Sequence, residues 1–262
     1  QTGGIMRYGR RFMALVGLAT ALTACDSDDT AGPGGDLGVQ PLRVLQANGD
    51  LTAALTEFRT LAGDPLNGGG TGPQPGGRRE IRWDGVPAEQ TNTDAFPADF
   101  FRGAGLISTT DGAGLRVSDN DFADLNPSYG AEFESFSKAK TFMSIGSARM
   151  TLTFRVPGTD ELAEVNGFGI VFSDVDRDGA ASITLYAANG EDLGTYTAPV
   201  RSDAAGHSFV GVAFDRPLIA RVEVVSGEAP LAADRNDLSS GGTVDLVVTD
   251  DFLYGEPQAA GE

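Results

Sequence analysis

The chain has 262 residues, of which 40% are hydrophobic, 21% charged and 36 are glycine. Nineteen Lys and Arg stand against 37 Asp and Glu, a formal net charge of −18, so its long-range field repels polyanions and argues against nucleic acid as a partner. One cysteine and one histidine exclude by count an intrachain disulfide, a structural zinc site and a Cys/His catalytic pair.

Gln1 to Ile5 lie upstream of Met6, the expected start of translation. From Met6, Arg7, Arg10 and Arg11 form a basic stretch and Phe12 to Leu22 an apolar run too short to span a bilayer, ending in Leu22-Thr23-Ala24-Cys25, which resembles the bacterial lipobox. Residues 1–24 are therefore expected to be a lipoprotein signal peptide, with Cys25 lipidated and holding the protein to a membrane of the cell envelope. Each buried acyl CH₂ contributes about 0.8 kcal/mol, so several chains on one residue anchor stably.

Residues 25–40 are acidic, Gly-rich and aperiodic, the composition of a flexible tether. Within 41–64, Leu45, Leu51, Leu55, Phe58 and Leu61 fall at helical spacing before the stop Gly63-Asp64-Pro65. One amphipathic helix is predicted, or two short ones broken at Asn48-Gly49. A Gly/Pro linker over 65–77 separates it from the strand-rich remainder of the chain.

From Arg78 the text is strand, turn, strand. Ile81-Arg82-Trp83 opens it, with Trp83 a predicted core residue. Leu106 to Thr110 and Leu115 to Ser118 flank a Gly-containing turn and suggest a hairpin, and Asn189-Gly190 marks a second. Met150 to Val156 and Phe209 to Phe214 alternate, each burying one face. Ala220 to Val225 and Val244 to Val248 come next, separated by an acidic loop with Asp234, Asn236 and Asp237. Many short strands at this spacing predict an all-β, jelly-roll-like antiparallel β-sandwich over 78–257, with 258–262 a tail. His207 falls in a turn-like stretch, where a Ser-His-Asp triad lacks an evident orienting partner.

The most informative stretch is Gly167-Phe168-Gly169-Ile170-Val171-Phe172-Ser173-Asp174-Val175-Asp176-Arg177-Asp178-Gly179, an apolar strand running into three alternate aspartates. In extended chain, alternate side chains share a face, so Asp174, Asp176 and Asp178 can converge on one point. Hard cations with oxygen ligands suit that pattern, and D-x-D-x-D-G opens many calcium loops. An EF-hand is excluded, because Leu185 stands where the bidentate Glu belongs. The bland alternative is a solvated Asp-rich turn. Asp250 and Asp251 close another apolar strand and repel one another unless compensated; a structural calcium shared by Asp174, Asp176, Asp178, Asp250 and Asp251, with Asp84 as a further ligand, would answer both clusters.

Several phrases together resemble a group of uncharacterised secreted bacterial proteins, many ending in a PEP-CTERM sorting signal. They are Arg78-Arg79-Glu80-Ile81-Arg82-Trp83-Asp84-Gly85-Val86-Pro87, Pro97-Ala98-Asp99-Phe100-Phe101, Gly167-Phe168-Gly169 with Phe172-Ser173-Asp174-Val175-Asp176, Phe209 to Phe214, and Asp250-Asp251-Phe252-Leu253-Tyr254-Gly255-Glu256-Pro257. The resemblance spans about residues 50–257 and implies a surface-associated β-rich domain with no attached enzymatic activity. Gln258 to Glu262 carry neither the apolar span nor the basic tail of that sorting signal, so lipidated Cys25 is the expected anchor in its place.

The leading expectation is a lipid-anchored envelope module for binding or adhesion, with an extracellular glycan or an envelope protein as partner and calcium as a structural ion. A polysaccharide-active enzyme using carboxylates or Tyr129, Tyr186 and Tyr254 is the alternative from another class, and a purely structural envelope protein the third. No P-loop, G-x-S-x-G elbow or dinucleotide fingerprint is present.

Overall fold

The computed structural model describes residues 38–68, 70 and 72–261. The signal peptide, Cys25 and most of the tether lie outside the described residues. In chain order the strands are β1 (Arg43–Asn48), β2 (Arg78–Ile81), β3 (Leu106–Thr109), β4 (Gly114–Ser118), β5 (Thr141–Ile145), β6 (Arg149–Phe154) and β7 (Ala163–Glu164). After them come β8 (Gly167–Ser173), β9 (Ala181–Tyr186), β10 (Asp192–Thr197), β11 (His207–Ala213), β12 (Arg221–Ser226), β13 (Val248–Gly255) and β14 (Gln258–Ala259). Helix α1 covers Thr52–Ala62 and the single turn α2 covers Tyr129–Glu132.

Two antiparallel sheets carry the fold. The first runs β1-β11-β8-β13-β5-β4 with β2 also on β13, and the second runs β10-β9-β12-β6-β3. They face each other as a β-sandwich, the predicted class: Phe154 of the second sheet packs on Phe168 (6.2 Å) and Tyr254 (5.2 Å) of the first. The chain passes repeatedly from one sheet to the other. Trp83 is fully buried, stacked on Phe142 at 3.9 Å, and its indole N–H donates to the Asp250 carbonyl (2.8 Å).

The first sheet is covered on its other face by α1, which explains why every residue of β8 and β13 is buried. Phe168, Ile170 and Phe172 point into the sandwich, while Val171 joins Leu51, Leu55, Phe58 and Leu253 under the helix. Phe58 needs the cross-strand pair Gly169 and Gly211 beneath it: a Cβ at Gly211 would lie 2.7 Å from the Phe58 ring. Burying Phe58 in that seat contributes about 1.5–3 kcal/mol.

Four sequence expectations change here. Residues 43–48 form strand β1, paired with β11 along its whole length, so the helix occupies only the second part of 41–64. Leu45 reaches the helix cluster from a strand, across the turn at Gly49, and its spacing to Leu51 only imitates a helix. The described residues of 65–77 are not a free spacer but wrap a buried ion pair. Arg79 and Glu256 meet in two 2.7 Å bonds, Arg79 also donates to the Gly68 (2.9 Å) and Gly72 (2.6 Å) carbonyls, and Glu256 accepts from the Asn67 side chain (2.9 Å) and the Gln74 amide (3.0 Å). Strands β3 and β4 lie in different sheets, the 110–113 segment turning the corner against the β5–β6 connection with Ala113 N–H on the Ile145 carbonyl. Finally, Gln258 and Ala259 of the tail pair with β7.

Candidate metal centre

At the end of β8 the chain turns sharply. Asp174 takes φ +67°, a left-handed conformation that Asp tolerates better than most residues, and its N–H donates to the Gly206 carbonyl (2.8 Å). Its carboxylate is thereby turned inward, with no solvent exposure and no hydrogen-bond partner for either oxygen. Two further segments bring acids to it. The turn α2 delivers Glu132, held because the buried Tyr129 hydroxyl lies between the Ala232 (2.9 Å) and Arg235 (2.8 Å) carbonyls. The 228–247 loop delivers Asp237 and Asp245, both fully buried. It closes on itself through Gly242, whose N–H donates to the Asp237 carbonyl (2.7 Å), and a Cβ there would sit 1.9 Å from the Asn236 carbonyl oxygen.

The carboxylates form two groups, Glu132-Asp174-Asp237 and Asp176-Asp237-Asp245, each with one oxygen per residue within 4.8 Å of the others. Clustered acids of this kind can hold a metal ion. Protein donors meet part of the demand. Asp245 accepts the Asp176 (2.9 Å) and Arg177 (2.6 Å) amides on one oxygen, Asp237 accepts the Leu246 (2.7 Å) and Ser239 (2.7 Å) amides, and the Ser239 and Ser240 hydroxyls donate to Glu132. Both Asp174 oxygens, Asp176 Oδ1 and Asp245 Oδ1 have none. Arg177, beside them in sequence, pairs with Glu228 (2.6 Å) instead.

This crowding sets the electrostatics. Burial first, then the Asp237, Asp176 and Glu132 charges, push the Asp174 carboxyl up to about 9. Burial and Asp237 raise Asp176 to about 6, and burial raises Asp245 to about 7 against the Arg177 amide that stabilises its anion. Every donor is a carboxylate, the set a hard cation prefers, with no nitrogen or sulfur ligand in either group.

Of the acids singled out in the sequence, Asp174 and Asp176 are brought together here. Asp178 is exposed and belongs to neither group. Asp250, Asp251 and Asp84 also stand outside both groups and serve the 133–140 loop. A β-bulge between Thr249 and Phe252 sets Asp250 and Asp251 opposite Val171, where the neighbour of β13 changes from β5 to β2. Asp250 accepts the Phe136 amide (2.6 Å), the Ser137 hydroxyl donates to Asp251 (2.5 Å), and Asp84 accepts the Ala139 amide (3.0 Å). Burial and then the adjacent Asp251 charge push Asp250 up; burial raises Asp251 too, opposed by Ser137.

Glu132, Asp237 and Asp245 are the residues that sequence reasoning did not assign. Asp245 did leave a signal, an acid inside the apolar run Val244-Asp245-Leu246-Val247-Val248. Glu132 left none. Of the tyrosines proposed for sugar chemistry, Tyr129 and Tyr254 are fully buried and Tyr186 lies under Arg221, 3.7 Å from its ring centre. His207 is the first residue of β11, its ring 3.0 Å from the Glu134 carbonyl, so no triad forms around it.

Among the described residues no helix is long and apolar enough to cross a membrane. No protein-family model and no curated protein matches the chain. Among solved structures, the enzymatically active domain of tailspike protein 4 from bacteriophage CBA120 aligns with 64% of this chain and 21% of that one, so the chain spans about a fifth of it. Identity is 12% and the TM-score 0.27, a likeness too loose to carry an argument.

Proposed function

We propose that the protein is a calcium-stabilised β-sandwich module of the bacterial cell envelope, tethered through Cys25, which binds an extracellular glycan rather than catalysing a reaction. The observation that carries the cation is Asp174, a fully buried carboxylate with neither oxygen partnered, among four other acids. A buried anion without a partner costs several kcal/mol, and a divalent ion with about six to eight oxygen ligands removes that cost. The ion would tie α2, the end of β8 and the 228–247 loop together, three segments far apart in sequence. The tether rests on the lipobox and the resemblance to secreted bacterial proteins.

The face offered to a ligand is the outer side of the second sheet, over which no α-helix packs among the described residues. One cross-strand row there reads Thr195, Thr184, Glu223, Thr151, Thr109, and a cleft of about 240 Å³ lined by Thr110, Asp111, Arg149, Thr151 and Glu223 lies along it. Hydroxyls beside a carboxylate and a guanidinium are donors and acceptors suited to a polyhydroxylated ligand. Calorimetric unfolding with calcium and with chelator tests the ion: calcium should raise the melting temperature, and an unchanged melting point in both removes it. A glycan array with the calcium-loaded protein tests the ligand, and Thr151→Arg should abolish any signal. An array blank at every calcium concentration would leave a purely structural envelope protein.

A further inference from the structure

From the distribution of the unpartnered oxygens we infer that this centre takes two divalent cations, bridged by the Asp237 carboxylate. The inference rests on the cation reading above and goes beyond it in number, ligand assignment and bridge. The five acids do not converge on one point: they fall into two groups of three, and Asp237 is the only member common to both. The oxygens lacking a partner are split in the same way. Asp174, with neither oxygen partnered, belongs to the Glu132 group, and Asp176 and Asp245, each with Oδ1 unpartnered, belong to the other.

Asp237 has the lone pairs for this task. A carboxylate offers about four acceptor sites. The Leu246 amide takes one on Oδ1, and the Ser239 amide takes one on Oδ2. The Ser239 hydroxyl lies within reach of both Asp237 Oδ2 (2.8 Å) and Glu132 Oε2, but its single proton serves one acceptor at a time. With that proton on Glu132, each Asp237 oxygen keeps one free site, one for each ion. Glu132 and Asp174 then complete the protein ligands of the first ion, Asp176 and Asp245 those of the second.

Charge points the same way. If all five acids ionise, one divalent ion leaves three negative charges buried together, whereas two leave one, and Arg177 is already committed to Glu228. The second ion also occupies a distinct structural position. It sits where Asp245 already gathers the amides of Asp176 and Arg177, so it fixes the strand end, while the first fixes α2. The 228–247 loop, with its cleft of about 510 Å³ lined by Asp234, Arg235, Asn236, Gly242, Thr243 and Val244, supplies Asp237 and Asp245 and so would be tied to both ions.

Isothermal titration of the chelator-stripped full-length protein with calcium alone, with native mass spectrometry to count bound ions, tests this directly. Wild type should bind two ions per chain. Glu132→Gln should bind one, since Glu132 is held only by serine hydroxyls and a neutral amide keeps that packing. Asp237→Asn should lose the tight binding of both, with circular dichroism confirming that the sheets remain. One ion in wild type would overturn the bridge while leaving the cation reading in place. No ion at all would overturn both, and two ions in both wild type and Glu132→Gln would overturn the assignment of ligands.

Discussion

Asp174 at the end of β8 and the Asp250-Asp251 pair in β13 are buried carboxylates on neighbouring strands, and the protein treats them in opposite ways. The β13 pair is answered by the chain itself, through the Phe136 amide and the Ser137 hydroxyl, with Arg82 at 3.8 Å from Asp251. Close by, Glu80 carries this to its limit with hydrogen bonds from Arg59, Arg78 and Arg82. Around Asp174 the carboxylate oxygens outnumber the donors aimed at them, and among the described residues no guanidinium makes an ion pair with them. Burial and like charge are common to both regions, so neither property identifies a metal centre. What separates them is whether the oxygens already have hydrogens pointing at them.

The sharpest way to break this contrast is to make the same change in both places. Asp174→Asn should remove the first ion's share of the calcium increment in stability and leave the second ion's; for an ion present at a thousand times its dissociation constant that share is about 4 kcal/mol, or on the order of 10 °C for a domain of this size. In chelator the same variant should be at least as stable as wild type, because the amide removes a carboxyl that burial disfavours as an anion. Asp250→Asn should behave in reverse, keeping the full calcium increment and costing little, since the amide carbonyl still accepts from Phe136. Differential scanning calorimetry of both variants with and without calcium checks all four values, and equal calcium responses would erase the distinction between the regions.

Asp250→Ala probes the donor side of the comparison. It strands the Phe136 N–H and leaves a small cavity, for an expected loss of about 2–3 kcal/mol in denaturant unfolding with the calcium increment unchanged. Glu80 sharpens it further through pH. Against the raising effect of burial, Arg59, Arg82 and Arg78 hold its carboxyl down to about 2. A depressed folded value means that the unfolded chain binds the proton first. Stability from this group is therefore complete above about pH 4.5 and falls as pH drops through 2, by on the order of 2 kcal/mol once solvent around half-exposed Arg82 is allowed for. Glu80→Gln should flatten that part of the acid-unfolding curve.

The sequence carried the sandwich well because alternation is a local property: Met150 to Phe154 shows it in β6 without help from tertiary context, whereas Phe209 to Phe214, expected to bury one face, is buried on both because α1 covers the outer side of β11. It misled where two periods coincide, as at Leu45, and where hairpin-like spacing bridges two sheets, as between β3 and β4. The candidate centre was half legible. Asp174 and Asp176 announce themselves because they are close in sequence, while Glu132, Asp237 and Asp245 reach them only through the fold. Asp250 and Asp251 looked like ligands because adjacent acids in an apolar strand demand compensation. Sequence cannot tell a cation from an amide brought in by a loop more than a hundred residues upstream.

The smallest predicted effect isolates that loop. Ser137→Ala removes one hydroxyl that donates to Asp251 and lies 3.4 Å from Asp250 Oδ1, while leaving both carboxylates and the Phe136 amide in place. A single hydrogen bond to an acid at a half-buried site contributes about 1 kcal/mol, so the melting temperature should fall by about 2–4 °C. The loss should be local, because Asp84 still holds the Ala139 amide and Lys140 still donates to the Val86 carbonyl (2.6 Å). Amide exchange at Phe136 and Ser137 should quicken while exchange around Asp176 and Arg177 stays as in wild type. If chelation instead speeds Phe136 as much as it speeds Asp176, the two regions are coupled, and the 133–140 loop answers to the ion through Glu132 as well as to the β13 pair.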